Sequence, residues 1–207
     1  MSSEVTRSMD ATSPVMAAAV DRQRRTLPSG WWGVLLFICG EATFFGLMIA
    51  SYFYLRFEVA SWPPAGVEKP KVALPLILTA ILVSTSVPLA LAVRAGRLGR
   101  VRIAWVLVLL AVVVQGAYLG IQIHELLSDI EKVRPKESAY GSIYVTLLGA
   151  HHLHVAVGIL LELWLIGKLL RGLTNYRLVG LRAIALYWYF VNVMAIAVVF
   201  TQIYPSL

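Results

Sequence analysis

The sequence predicts an all-α integral membrane protein, a bundle of five transmembrane helices, on three observations. Of its 207 residues 59% are hydrophobic and only 14% charged, against roughly a quarter charged in soluble domains. The mean hydropathy is +0.76. The apolar residues also fall into separate runs of bilayer-crossing length, about 20 residues each. These runs lack the alternating pattern and the short segments of membrane β-strands, so they read as helices.

Residues 1–30 are polar, with Arg22, Arg24 and Arg25 close to the first run. No small-residue cleavage pattern follows that run, so the segment is expected to be a retained, disordered cytoplasmic tail rather than a signal peptide. The transmembrane domain is expected over 31–207, with spans at about 31–57, 72–93, 103–125, 141–166 and 183–204. Glu41 is the only interior charge of the first span, Arg56 standing at its end, and the second contains Pro75 and Pro88. The third is uncharged until His124 and Glu125, the fourth holds three histidines, and the fifth begins with a cluster of aromatic residues.

The basic residues set the expected orientation. Arg7, Arg22, Arg24 and Arg25 precede the first span; Arg94, Arg97, Arg100 and Arg102 lie between the second and third; Lys168, Arg171, Arg177 and Arg182 lie between the fourth and fifth. The opposite side has Arg56, Lys69, Lys71, Lys132, Arg134 and Lys136. Positive charge concentrates on the cytoplasmic side, which puts the N-terminus inside and the C-terminus outside. Because the net charge of +7 is spread over span ends, with no basic face on a soluble domain, a nucleic-acid partner is not expected.

Intramembrane polar groups are the candidate functional residues, since each is costly unless it is paired or faces water. Glu41 and His151 both lie about ten residues, or roughly 15 Å, inside their spans. His151 and His154, three apart, share a helix face, while His152 points about 100° away. Pairing of Glu41 with His151 or His154 is therefore expected. Hydrogen bonding between packed helices is the first reading of the histidines, a proton- or lipid-related role the second. A metal is the third, because too few further ligands are available. Gln122 and Glu125, also three apart, form a polar pair at the outer end of the third span. Glu162 is expected to snorkel at the inner interface. Cys39 reads as a small core residue facing a neighbouring helix, and as the lone cysteine it excludes an internal disulfide. The sequence Gly116-Ala-Tyr-Leu-Gly120 reads as a weak close-packing motif. Four histidines and one cysteine cannot supply two haems and a copper by histidine ligation, or a thiolate-bridged dinuclear copper site, and no phosphate-loop or dinucleotide fingerprint is present. No catalytic centre, no metal site and no directly bound redox cofactor are expected.

Four motifs in order carry a resemblance to a known family. GEATFFGLMIASYFYLRF (40–57) resembles a helix of subunit III of haem–copper terminal oxidases, which carries a carbodiimide-reactive glutamate in an E-x-x-F-F context; Glu41 matches it. QIHE (122–125) resembles that family's Q-x-x-E at a helix end. AYGSIYVTLLGAHHLHVAVG (139–158) resembles its YGS and H-G-L-H-V helix, with His151 and His154 on the two histidines and His152 in place of glycine. YWYFVNVMAIAVVFTQIY (187–204) resembles its last helix, W-H-F-V-D-V-V-W, but Tyr189 replaces the histidine and Asn192 the aspartate. The resemblance runs from Trp31 onward and fits the short, five-helix form. It implies an accessory subunit without redox centres in a bacterial cytoplasmic membrane, packed with subunits I and II, which carry the haem and copper of a cytochrome c or quinol oxidase. It also implies phospholipid binding, support of proton uptake and protection of subunit I. An accessory protein of a nitric oxide reductase system and a stand-alone proton-coupled carrier are the alternative readings.

Overall fold

The computed structural model describes residues 29–59, 61–64, 72–172 and 174–204; the expected tail falls outside them, apart from its last two positions, which begin a helix. The described residues form α1 (Ser29–Phe57), α2 (Ala73–Ser84), α3 (Ser86–Arg97), α4 (Val101–Val133), α5 (Ala139–Leu169) and α6 (Asn175–Ile203), with no strand among them. α2 and α3 are the halves of one span, Ala73–Arg97, so five helical spans are long and apolar enough to cross a membrane.

Local chemistry explains where these helices bend and end. Pro88 has no N–H for the carbonyl four residues earlier, which interrupts the helical ladder near Ser84. There the Ser84 and Thr85 hydroxyls donate to the carbonyls of Ile81 and Leu82, each at 2.6 Å. Pro75 falls in the first turn of α2, where a missing N–H costs little. α4 ends at Arg134 in the left-handed region, with φ 47°, well beyond the expected residue 125. Its extra turns carry Asp129, Glu131 and Lys132, so apolarity alone marked the membrane-embedded part and not the whole helix. Ser138 caps α5 by accepting from the Gly141 N–H at 3.0 Å. A Cβ on Gly141 would lie 2.6 Å from the Val133 carbonyl oxygen, so the α4–α5 turn closes only around glycine. Thr174 caps α6 in the same way, and this cap starts the helix eight residues before the expected position 183.

The bundle is organised around α5 and α6. α5 packs against α4, α6 and α1; α6 packs against α5, α1, α2 and α3; and α3 also packs on α4. The fully buried indole of Trp188 lies where three of these spans meet. Its Nε1–H donates to Thr85 Oγ1 at 2.8 Å, and its ring covers Gly158, where a Cβ would come within 2.5 Å of the indole. Across the Phe57 end of α1, the indole of Trp62 donates to Tyr52 Oη at 2.9 Å and meets the Tyr140 ring edge-on at 4.8 Å.

Two packing expectations are corrected. Cys39 is exposed on the outward face of α1 and touches no core. Gly116 and Gly120 also face away from the bundle, with nothing within 4 Å of an added Cβ; the face of α4 that meets α5 is the one bearing Gln115, Tyr118 and Gln122. Because the indole has no room to retreat from Gly158, Gly158→Ala should destabilise the chain by about 1–3 kcal/mol through overpacking. Thermal unfolding of the purified membrane protein would measure this, and an unchanged midpoint would show that the indole can yield.

Candidate functional site

Glu41 from α1 and His154 from α5 meet across the helix interface, with Glu41 Oε2 2.9 Å from His154 Nε2. The imidazole is fixed from its other side, since Nδ1 lies 2.7 Å from the Ala150 carbonyl oxygen. Tyr187 of α6 donates to the His154 carbonyl at 3.0 Å, and the buried Phe45 ring packs edge-on against the imidazole at 5.0 Å. The side chains of Glu41 and His154 are 24% and 13% exposed, and both groups sit well inside their spans.

This geometry determines how many protons the pair holds. A carbonyl oxygen only accepts, so His154 Nδ1 must carry a hydrogen. A bare Nε2 facing a carboxylate would then set two acceptors against each other at 2.9 Å. One further proton has to lie between Nε2 and Oε2, as imidazolium with carboxylate or as imidazole with carboxylic acid. In either form the pair is neutral overall, which the membrane interior favours. The site is thus a proton-holding clasp between α1 and α5.

The other two histidines of the group do not join Glu41. His151 and His152 are buried on α5, with none of their ring nitrogens hydrogen-bonded in the chain. His152 instead packs against Tyr118 of α4, its ring centroid 6.4 Å away. Among the described residues no three His, Cys, Asp or Glu side chains are placed to hold a metal.

The Gln122 and Glu125 pair is not at a helix end as expected, because α4 runs on to Val133, eleven residues past Gln122. Gln122 is buried and donates to Tyr118 Oη at 3.2 Å. Glu125 is half-buried and borders a cavity of about 40 Å³ with Gln122, Asp129 and Tyr144. Tyr144 donates to Asp129 Oδ2 at 3.1 Å. Asp129 escaped the sequence reading because it falls beyond the apolar run, although it continues the heptad spacing 115, 118, 122, 125, 129.

Glu162 requires a correction: it does not snorkel. It is fully buried between α5 and α4 and accepts from Gln115 Nε2 at 3.2 Å. α5 continues to Leu169, so Glu162 lies seven residues, about 10 Å, inside the helix end. Its two-methylene stem cannot span that distance. Gln115 was not singled out from the sequence; its signal was its place at the head of the polar heptad on α4.

The two positions where the last helix departs from the resemblance both face the second span. Asn192 donates to Ser86 Oγ at 2.7 Å. Tyr189 borders an open crevice of about 460 Å³ lined also by Trp31, Arg94, Arg97 and Arg182. The guanidinium of Arg182 stacks over the Trp31 ring at 5.3 Å.

Residues 22–205 match the family described as cytochrome c oxidase subunit III. The chain belongs to that family. Cytochrome c oxidase subunit 3 of Thermostichus vulcanus is 31% identical over 190 residues, covering 91% of this chain and 92% of the relative. Cytochrome bo(3) ubiquinol oxidase subunit 3 of Pseudomonas aeruginosa is 31% identical over 179 residues, covering 84% and 82%. Cytochrome c oxidase subunit 3 of Bacillus subtilis is 28% identical over 199 residues, covering 93% and 92%. As a member of the subunit III family the chain is a multi-pass membrane protein and a component of a terminal oxidase complex with other subunits. The relatives include subunits of both cytochrome c and quinol oxidases, so similarity does not single out one electron donor.

Within this subunit III chain, the Glu41–His154 clasp should tolerate an amide better than a truncation. Glu41→Gln keeps a polar group opposite His154, whereas Glu41→Ala leaves the imidazole without its partner, at a cost of about 1–3 kcal/mol. Thermal unfolding of both variants would rank them; equal midpoints would show that the contact contributes nothing.

Proposed function

We propose that this chain is the accessory, redox-inactive subunit III of a haem–copper terminal oxidase in a bacterial cytoplasmic membrane, with its N-terminus inside. It packs against catalytic subunit I, alongside subunit II, and takes no part in electron transfer itself. Haem and copper belong to those partners. Its role is to sustain proton uptake by subunit I and to protect it during turnover.

The observation that carries this reading is the Glu41–His154 clasp. It places a carboxyl that shares a proton with an imidazole inside the membrane, in a chain whose transmembrane part matches the family throughout. The clasp supports Glu41 as the carbodiimide-reactive glutamate that the resemblance implies. Phospholipid binding is supported by the crevice of Trp31, Arg94, Arg97, Arg182 and Tyr189. There guanidinium groups suited to a phosphate border an apolar wall of Ala90, Val93, Ala185 and Leu186 suited to acyl chains.

Two measurements test the proposal. An oxidase purified without this subunit should keep its haem spectra and initial turnover but inactivate faster during turnover; haem or copper retained by the isolated chain would refute the accessory role. In the complete complex, Glu41→Gln should remove carbodiimide from the peptide containing residue 41 while leaving assembly intact. Unchanged labelling of that peptide would refute the assignment of Glu41.

A further inference from the structure

We propose that Glu162 carries a proton and forms a reciprocal acid–amide pair with Gln115, a second proton-holding site of this chain about two turns along α5 from the Glu41–His154 contact.

The argument begins with burial. Gln115 and Glu162 are both fully buried, one on α4 and one on α5. Their neighbours one turn away, Ala111, Val112, Gly158 and Leu165, offer no charge. Among the described residues no cation lies within ion-pairing distance of Glu162. Lys168, six residues on, sits over the Trp164 ring at 5.2 Å. An ionised carboxylate here would be a buried charge without a counter-ion, which is among the most costly arrangements a protein interior can hold.

The hydrogen bonds give the second, independent argument. An ionised carboxylate only accepts, while a primary amide offers one accepting oxygen and a donating NH₂ group. Gln115 Nε2 donates to Glu162 Oε1 at 3.2 Å. That leaves Gln115 Oε1 and Glu162 Oε2, two buried acceptors on adjoining side chains, without any donor. Turning the amide over does not help, because it would bring oxygen against oxygen at Glu162 Oε1. One proton on Glu162 Oε2, donated to Gln115 Oε1, satisfies both atoms at once and removes the charge. The resulting ring of two hydrogen bonds needs no water and no other residue.

A glutamine at position 162 would reproduce that ring, with its own NH₂ donating to Gln115 Oε1. The Glu162→Gln complex should therefore assemble at wild-type yield. Infrared difference spectra of the wild-type complex against Glu162→Gln should then contain one carboxylic-acid C=O band that moves to lower frequency in D₂O. Gln115→Leu, which removes the partner, should shift that band to the higher frequency of a free acid. A pair of carboxylate bands in place of the acid band would overturn the proposal, as would failure of Glu162→Gln to assemble or an unmoved band in Gln115→Leu. The same spectra taken in a Glu41→Gln background should keep the Glu162 band, which separates this site from the Glu41–His154 clasp.

Discussion

The bundle closes on Trp188. Inside a bilayer the tails are as apolar as leucine, so helices gain little from hiding hydrocarbon and must hold together by close packing and hydrogen bonds. Trp188 supplies both. Its indole lies on the bare backbone of Gly158, which draws α6 onto α5, and its N–H reaches Thr85 in the second span. Thr85 is available because the span is broken there: the irregular turn before Pro88 positions the hydroxyl to donate to Leu82 and to accept from the indole. A proline, a glycine and a tryptophan on three different spans thus define one junction. The helices around α5 and α6 are arranged by it.

α1 is attached differently. It packs on α5 and α6, leaves most of its surface outward, and is fastened by Phe45, Tyr52 and the Glu41–His154 contact. α5 consequently carries polar contacts at two levels, with His154 meeting α1 and, two turns further on, Glu162 meeting α4. Between them, Gly158 accepts the indole from α6. His154, Gly158 and Glu162 are spaced four residues apart on one slowly turning stripe. Each neighbour receives its own specific contact along it, which fixes the register of three helix pairs at once.

The helix count, the approximate membrane-embedded lengths and the Glu41–histidine relation were legible in the sequence, because they follow from long-range hydropathy and from helical spacing. The ends of α4 and α6 were not: Asp129, Lys132 and Arg177 are polar, and helix continuation there depends on the Ser138 and Thr174 caps and the Arg134 turn. Spacing put His151 and His154 on one face but could not say which of them reaches α1. That depends on helix rotation, which Gly158 and Trp188 set. Glu162 was misplaced for a related reason. Its distance to Lys168 suggested an interface, but where α5 ends and which residue of α4 faces it are tertiary facts. The outward turn of Gly116 and Gly120 makes the same point, since a small-residue motif permits close approach without requiring it.

The hydrogen bonds at His154 and at Glu162 lead to a common physical principle. At His154 the carbonyl of Ala150 fixes one ring proton, and the 2.9 Å contact to Glu41 then demands another. At Glu162 the amide of Gln115 leaves one acceptor on each partner unfilled. In both places the count of donors and acceptors comes out one proton short for an ionised carboxylate beside a neutral partner. Adding the proton leaves each pair electrically neutral. An acid can therefore serve as a specific helix contact in a membrane without bringing a net charge into it, provided that its partner offers both a donor and an acceptor or holds a proton in common with it. Histidine does the second and glutamine the first. Glu41, which meets α5, and Glu162, which belongs to it, are paired with one of each.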